Sequence, residues 1–105
     1  MSYFDHERLD VYRLAVEVAR AVGRARFPRG EADLRDQAVR ASRSVVLNIA
    51  EGRGRGGGAG KNHYRIALGS AAETCAALDL ATVSGASELQ ERLRRIGAML
   101  ARMAR

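Results

Sequence analysis

Two pairs of polar residues have the types and the spacing from which acid–base chemistry is built. Asn48 precedes Glu51 by three residues, and Ser70 precedes Glu73 by the same step. Residues three apart lie on one face of a helix, so each pair presents a carboxylate beside a neutral polar group. If the two helices pack together, Glu51 and Glu73 would form a paired-carboxylate active site.

A structural role explains the same residues without a reaction. The two carboxylates have no nucleophile with its own base and no positioned histidine beside them, so we expect no enzyme activity. In the structural interpretation, Asn48 and Ser70 satisfy each other or a backbone group. Gly69 then lets the helices approach closely, and Glu51 or Glu73 pairs with an arginine.

Residues 52–60 contain six glycines, and this composition predicts a loop that cannot sustain a helix. The segment does not have the pattern of a Walker A phosphate loop. That motif needs glycine five positions before Gly60, where this chain has Arg55, and a Ser or Thr after Lys61, where it has Asn62. We therefore expect no nucleotide and no other cofactor.

Charge is the strongest compositional signal. The 105 residues include 18 basic and 12 acidic side chains, a net charge of +6, and every basic residue except Lys61 is arginine. Guanidinium groups pair bidentately with phosphates, and residues 92–105 contain five arginines and no acid. The alternatives are a solvated helix face, a flexible solvated turn and the codon bias of a GC-rich genome. The candidate nucleic-acid contacts are Arg53, Arg55, Lys61, Arg65, Arg92, Arg95 and Arg102. Aromatic residues are too few for base stacking, so binding would be led by the phosphate backbone.

Metal binding, disulfides and membrane insertion are not expected. His6 and His63 have no ligand-spaced partners, and Cys75 has the position of a buried apolar thiol. No apolar run approaches the roughly 18 residues of a spanning helix. The first residues lack the order of a signal peptide, which favours a soluble, cytoplasmic protein.

Glycine and proline divide the chain into four amphipathic segments. Apolar residues recur at steps of three and four, and Ser87 and Gln90 have the spacing of a capping box at the start of the last segment. Four such segments with short connections predict a single all-α domain over 1–105, an antiparallel up-down four-helix bundle. A second apolar line on the second helix predicts burial on two sides. The predicted helices are approximately 8–26, 32–52, 61–83 and 87–104.

Three segments resemble the four-helix-bundle family of 23S ribosomal RNA intervening-sequence proteins. Residues 48–52 read Asn-Ile-Ala-Glu-Gly, residues 69–73 contain Gly-Ser-x-x-Glu, and residues 9–15 are similar to the family's opening segment. The structural family motif comprises Asn48, Glu51, Gly52, Gly69, Ser70 and Glu73. Val46 departs from the proline common two positions before the Asn, and the following segment is unusually rich in glycine.

The resemblance implies a homopentamer. It also implies kinship in fold with the accessory protein of diversity-generating retroelements, a basic pentameric barrel that binds nucleic acid together with a reverse transcriptase. The family itself has no established activity. Our first hypothesis is a non-enzymatic oligomer that associates with RNA or DNA; the alternative is an oligomeric scaffold or adaptor for a protein partner.

Overall fold

The computed structural model describes residues 4–105, and within that range the chain is all-α with no strand. The four helices are α1 (Asp10–Arg24), α2 (Ala32–Arg55), α3 (Gly57–Leu80) and α4 (Ala86–Met103), with short 3-10 turns at Asp5–Arg8 and Arg29–Glu31. The prediction of four helices and no sheet is confirmed. No helix in the described part of the chain is both long and apolar enough to cross a membrane.

The apolar lines of the four helices meet in one core. Each helix packs against two others, α1 and α3 both lying between α2 and α4. The largest fully buried apolar side chains come from three helices, with Val18 on α1, Ile49 on α2, and Ile96 and Leu100 on α4. Helix α3 contributes mainly alanines to the core, which allows its axis to lie close to α2 and α4.

The predicted loop over 52–60 is wrong, because nearly all of it is helical. Helix α2 continues to Arg55, Gly56 alone separates the two helices, and α3 begins at Gly57. Glycine costs about 1 kcal/mol relative to alanine in a helix. Tertiary packing supplies most helix stability in a folded domain and overrides that cost here.

The predicted capping box at the start of α4 is not formed. No side chain caps this helix, and its N-cap is Gly85 in the left-handed region, with φ +81°. Gln90 is buried instead, and its Nε2 donates to Cys75 O (3.0 Å) and Asp79 Oδ1 (2.7 Å) on α3. Its side chain therefore holds α4 against α3 and does not cap its own helix.

Candidate nucleic-acid interface

The connection between α2 and α3 is a single glycine with a positive φ. Gly56 has φ +68°, and Gly57, which begins α3, has φ +57°. The Gly56 N–H donates to Gly52 O (3.0 Å), and the Gly60 N–H donates to Gly56 O (2.8 Å). A side chain at either left-handed position would be strained, so the glycines make this one-residue connection possible.

Below the connection, α2 and α3 touch backbone to backbone at Gly52 and Gly60, both of which are buried. A Cβ atom on Gly52 would lie 2.6 Å from Tyr64 Cε1 and 2.9 Å from Gly60 O, and one on Gly60 would lie 2.5 Å from Gly52 O. Both distances to backbone oxygen are below those that real Cβ atoms tolerate. The buried Tyr64 ring packs over Gly52, at the point where α2 and α3 cross.

One turn further from the connection, a chain of polar side chains joins the same two helices. His63 Nδ1 and Asn48 Oδ1 are 2.9 Å apart, and Asn48 Nδ2 donates to Ser44 O at 2.9 Å and to Ser44 Oγ at 3.1 Å. Ser44 Oγ lies 2.8 Å from Ser70 Oγ. Asn48 and Ser70 therefore belong to one hydrogen-bonded network, but Ser44 lies between them and His63 completes it.

The carboxylates and Gly69 do not take part in this network. Glu51 forms an exposed ion pair with Arg55 (3.3 Å) on its own helix, and Glu73 is exposed on α3. Because Asn48 is opposite His63, Glu51 lies beside the first turns of α3, whereas Glu73 follows Ser70 toward the far end. The paired-carboxylate site is therefore not formed. Gly69 is exposed with open space at its Cβ position, so it does not let α2 and α3 approach; Gly52 and Gly60 do.

Five of the seven predicted nucleic-acid contacts lie at one end of the molecule. We call the region formed by the last turn of α2, the first turns of α3 and the last turn of α4 the turn end. Arg65 connects α3 to α4 there, because its Nη2 donates to Ala104 O (3.0 Å). The five basic residues are all exposed. They are Arg53, Arg55, Lys61, Arg65 and Arg102.

Tyr64 and Arg53 show how the turn end combines a buried ring with a surface charge. Burial raises the pKa of the Tyr64 hydroxyl above its ordinary value of 10.0, and the charge and hydrogen bonding of Arg53 act in the opposite direction. Arg53 is itself exposed, so its guanidinium remains available to a phosphate. The Arg55–Glu51 pair is also exposed, and such a pair contributes at most about 1 kcal/mol, so Arg55 is easily released.

The other two predicted contacts lie elsewhere. Arg92 lines a shallow hollow with Arg24, Gly85 and Glu88, near the start of α4 and the end of α1. Arg95 is exposed on the next turn of α4. The structure therefore separates the seven into a turn-end group and a pair on α4.

The sequence indicated the basic residues of the turn end, but it did not indicate that His63 and Ser44 take part in the hydrogen-bonded network between α2 and α3. His63 was isolated in the sequence because its partner Asn48 lies on another helix. Within residues 4–105, no group of three or more His, Cys, Asp and Glu side chains has an arrangement that could hold a metal ion.

The fold defines the class as an all-α protein of four helices. Its second and third helices are held together by a glycine contact and a hydrogen-bonded network, and basic residues lie at the adjacent end. Comparison of the sequence with family models identifies the family. Residues 7–102 match the family model of the 23S rRNA-intervening sequence protein, and the chain belongs to that family. A comparison with curated proteins gives no match.

Proposed function

We propose that this protein is a non-enzymatic, oligomeric, nucleic-acid-associated protein that contacts RNA or DNA through the turn end. The observation that carries the proposal is the convergence of exposed basic side chains from three helices on that end. Arg53 and Arg55 lie in the last turn of α2, Lys61 and Arg65 lie in the first three turns of α3, and Arg102 lies in the last turn of α4.

The chemistry of these residues favours phosphates over bases. Guanidinium groups form paired hydrogen bonds with phosphate oxygens, whereas Tyr64, the aromatic residue among them, is buried and cannot stack on a base. Binding through phosphates depends on charge density and not on sequence. We therefore expect weak sequence specificity and a strong dependence on salt.

We further propose that the protomer is an antiparallel bundle that assembles into a homopentamer. Asn48 is opposite His63, Ser44 is opposite Ser70 and Glu31 Oε1 accepts from the Thr82 N–H (2.7 Å), so residue numbers fall along α2 as they rise along α3. The large apolar side chains of Leu47, Ile66 and Leu80 are exposed, which supports assembly. Five protomers of charge +6 would carry about +30, which attracts polyanions even before a specific contact forms.

Fluorescence anisotropy with labelled single- and double-stranded RNA and DNA, at two salt concentrations, tests the proposal. We expect affinity to fall steeply as salt rises, because each neutralised phosphate releases counterions. The double variant Arg55→Gln/Lys61→Gln should weaken binding and flatten the salt dependence, since both side chains are exposed and neither is part of the core.

The α4 pair provides a matched control. Arg92→Gln/Arg95→Gln removes the same charge from exposed positions outside the turn end. A larger loss for the turn-end variant supports a local interface, whereas equal losses show diffuse attraction by net charge. An unchanged anisotropy at low salt for every nucleic acid would exclude the proposal.

The second candidate function is an oligomeric scaffold or adaptor for a protein partner. It is favoured by Leu47 and Leu80, whose side chains are 67% and 72% exposed. Isolated apolar residues are common on surfaces, whereas contiguous apolar patches mark protein contacts, and Leu47 lines an apolar groove together with Val16, Ala19 and Val46. A protein that self-assembles and binds none of the nucleic acids would support this function over the first.

A further inference from the structure

The outer face between α1 and α2 is an apolar groove bordered by arginines. It has a volume of about 570 Å³, and its floor consists of Val16, Ala19, Gly23, Val46 and Leu47. Three arginines, two from α1 and one from α2, line it, and no acidic residue does. The groove therefore combines an apolar surface with an unbalanced positive rim. The arginines are Arg20, Arg24 and Arg43.

A second uncovered surface lies on the outer side of α3. Five exposed residues recur there at steps of three and four, which places them on one stripe of the helix. Ile66 is 44% exposed and Leu80 is 72% exposed, and a glycine and an alanine lie between them. The charged member of the stripe is Glu73. The α3 stripe consists of Ile66, Gly69, Glu73, Ala76 and Leu80.

Two members of the stripe take no part in the helix crossing or in the ion pairs formed within residues 4–105. A Cβ on Gly69 would meet no atom within 4 Å, so its lack of a side chain serves no contact between α2 and α3. Glu73 makes no ion pair with any side chain of residues 4–105. A glycine that is open to solvent and beside a solitary carboxylate suits a face on which another helix packs closely.

We propose that the α3 stripe of one copy docks in the α1–α2 groove of a second copy, with Glu73 pairing with the groove arginines. This inference rests on the proposed self-association and specifies its interface. The two surfaces are complementary in charge: the groove has arginines and no acid, and the stripe has a glutamate and no arginine. They are also complementary in shape, since Leu80 and Ile66 project while Gly69 and Ala76 leave room for the rim.

The geometry of the contact has a consequence for assembly. The groove and the stripe are different surfaces of the protomer, so a single groove–stripe contact is heterologous and leaves one groove and one stripe free on the pair. Repeating it either closes a ring or extends a filament. An isologous dimer would need the groove and the stripe of each copy to engage those of the other copy at the same time.

Reversing the charges across the proposed contact tests it. We expect Glu73→Arg and Arg43→Glu, each made alone, to weaken self-association at least about tenfold, because like charges then face each other in a desolvated contact. The double variant Glu73→Arg/Arg43→Glu restores opposite charges and should recover most of the assembly. Analytical ultracentrifugation over a range of concentrations measures the effect, and circular dichroism checks that each variant is folded.

A matched pair on α4 serves as the control. Glu91→Arg and Arg95→Glu make the same charge changes at exposed positions outside both surfaces, and we expect neither to alter the assembly. A variant of an apolar contact, Leu80→Ser, should also weaken self-association, and its exposure means that the protomer core is not disturbed.

The outcomes separate this inference from the proposed function. A wild-type mass of 11.4 kDa at all concentrations would overturn both self-association and this interface. An oligomer that persists unchanged in Glu73→Arg, Arg43→Glu and Leu80→Ser would overturn the interface while self-association stands. Loss of assembly in both single variants without recovery in the double variant would contradict the pairing of Glu73 with Arg43.

Discussion

Gly52 and Gly54 of α2 are only two residues apart, but replacing each of them by alanine should change the stability of the protein in opposite directions. Gly54 lies in helix with no atom within 4 Å of its Cβ position. Alanine there gains helix propensity and reduces the entropy of the unfolded chain, so we expect Gly54→Ala to stabilise the protein by about 0.5–1 kcal/mol.

Gly52→Ala receives the same propensity gain but introduces a clash. The new Cβ would lie 2.6 Å from Tyr64 Cε1 and 2.9 Å from Gly60 O, and a backbone oxygen cannot move away without separating the helices. Overpacking costs typically about 1–3 kcal/mol. The net effect is a destabilisation of about 1 kcal/mol at the middle of these ranges. Because both variants share the propensity gain, they should differ by the overpacking cost, about 1–3 kcal/mol.

Thermal unfolding followed by circular dichroism, at one fixed protein concentration, measures the difference. For a domain of this size, 1 kcal/mol corresponds to a shift in Tm of roughly 4 °C, so the two variants should differ by about 4–12 °C. A fixed concentration matters because assembly also stabilises the folded state. Gly60→Ala, with its Cβ 2.5 Å from Gly52 O, should be at least as damaging as Gly52→Ala. Equal Tm values for Gly52→Ala and Gly54→Ala would refute the close crossing of α2 and α3.

Two other changes test the same region. Asn48→Ala removes the partner of both His63 and Ser44, and we expect a loss of about 1–3 kcal/mol in urea unfolding because the remaining polar groups are half-buried; an unchanged midpoint would show that water replaces the amide without cost. Burial raises the pKa of Tyr64 in the folded state, so its contribution to stability is fully present below pH 10.0 and is lost as pH rises through the folded pKa. Tyr64→Phe should reduce the slope of stability against pH in that alkaline range, and identical slopes for the variant and the wild type would contradict the assignment.

The periodicity of apolar residues was sufficient to predict the number and type of the elements. Val22, Val45 and Ile96 lie on the predicted apolar lines and are fully buried, because helix period and burial are coupled along a single segment. The resemblance to the family is confirmed by the match over residues 7–102. The four-helix, all-α architecture was therefore predictable from local information.

Contacts between helices were not predictable in the same way. The glycines of 52–60 predicted a loop because propensity is a local quantity, whereas Gly52 and Gly60 are helical owing to a contact across two helices. Gln90 has the spacing of a capping residue but bonds to α3, since its nearest acceptors belong to another element. In each case the deciding partner is at least eight positions away in the chain, beyond the reach of any local pattern.

The residues of the family motif divide by the direction in which they face. Asn48 and Gly52 face α3, where Asn48 belongs to the hydrogen-bonded network and Gly52 to the backbone crossing. Ser70 joins Asn48 in that network through Ser44. Gly69 and Glu73 are within three residues of Ser70 but are exposed, and a Cβ on Gly69 would meet no atom of residues 4–105 within 4 Å. A single short segment of α3 thus presents one side to its own chain and the other to solvent. If the outward side contacts a second copy, variants of Asn48 should lower the stability of the protomer and leave assembly nearly unchanged. Variants of Glu73 should lower assembly and leave the stability of the protomer nearly unchanged.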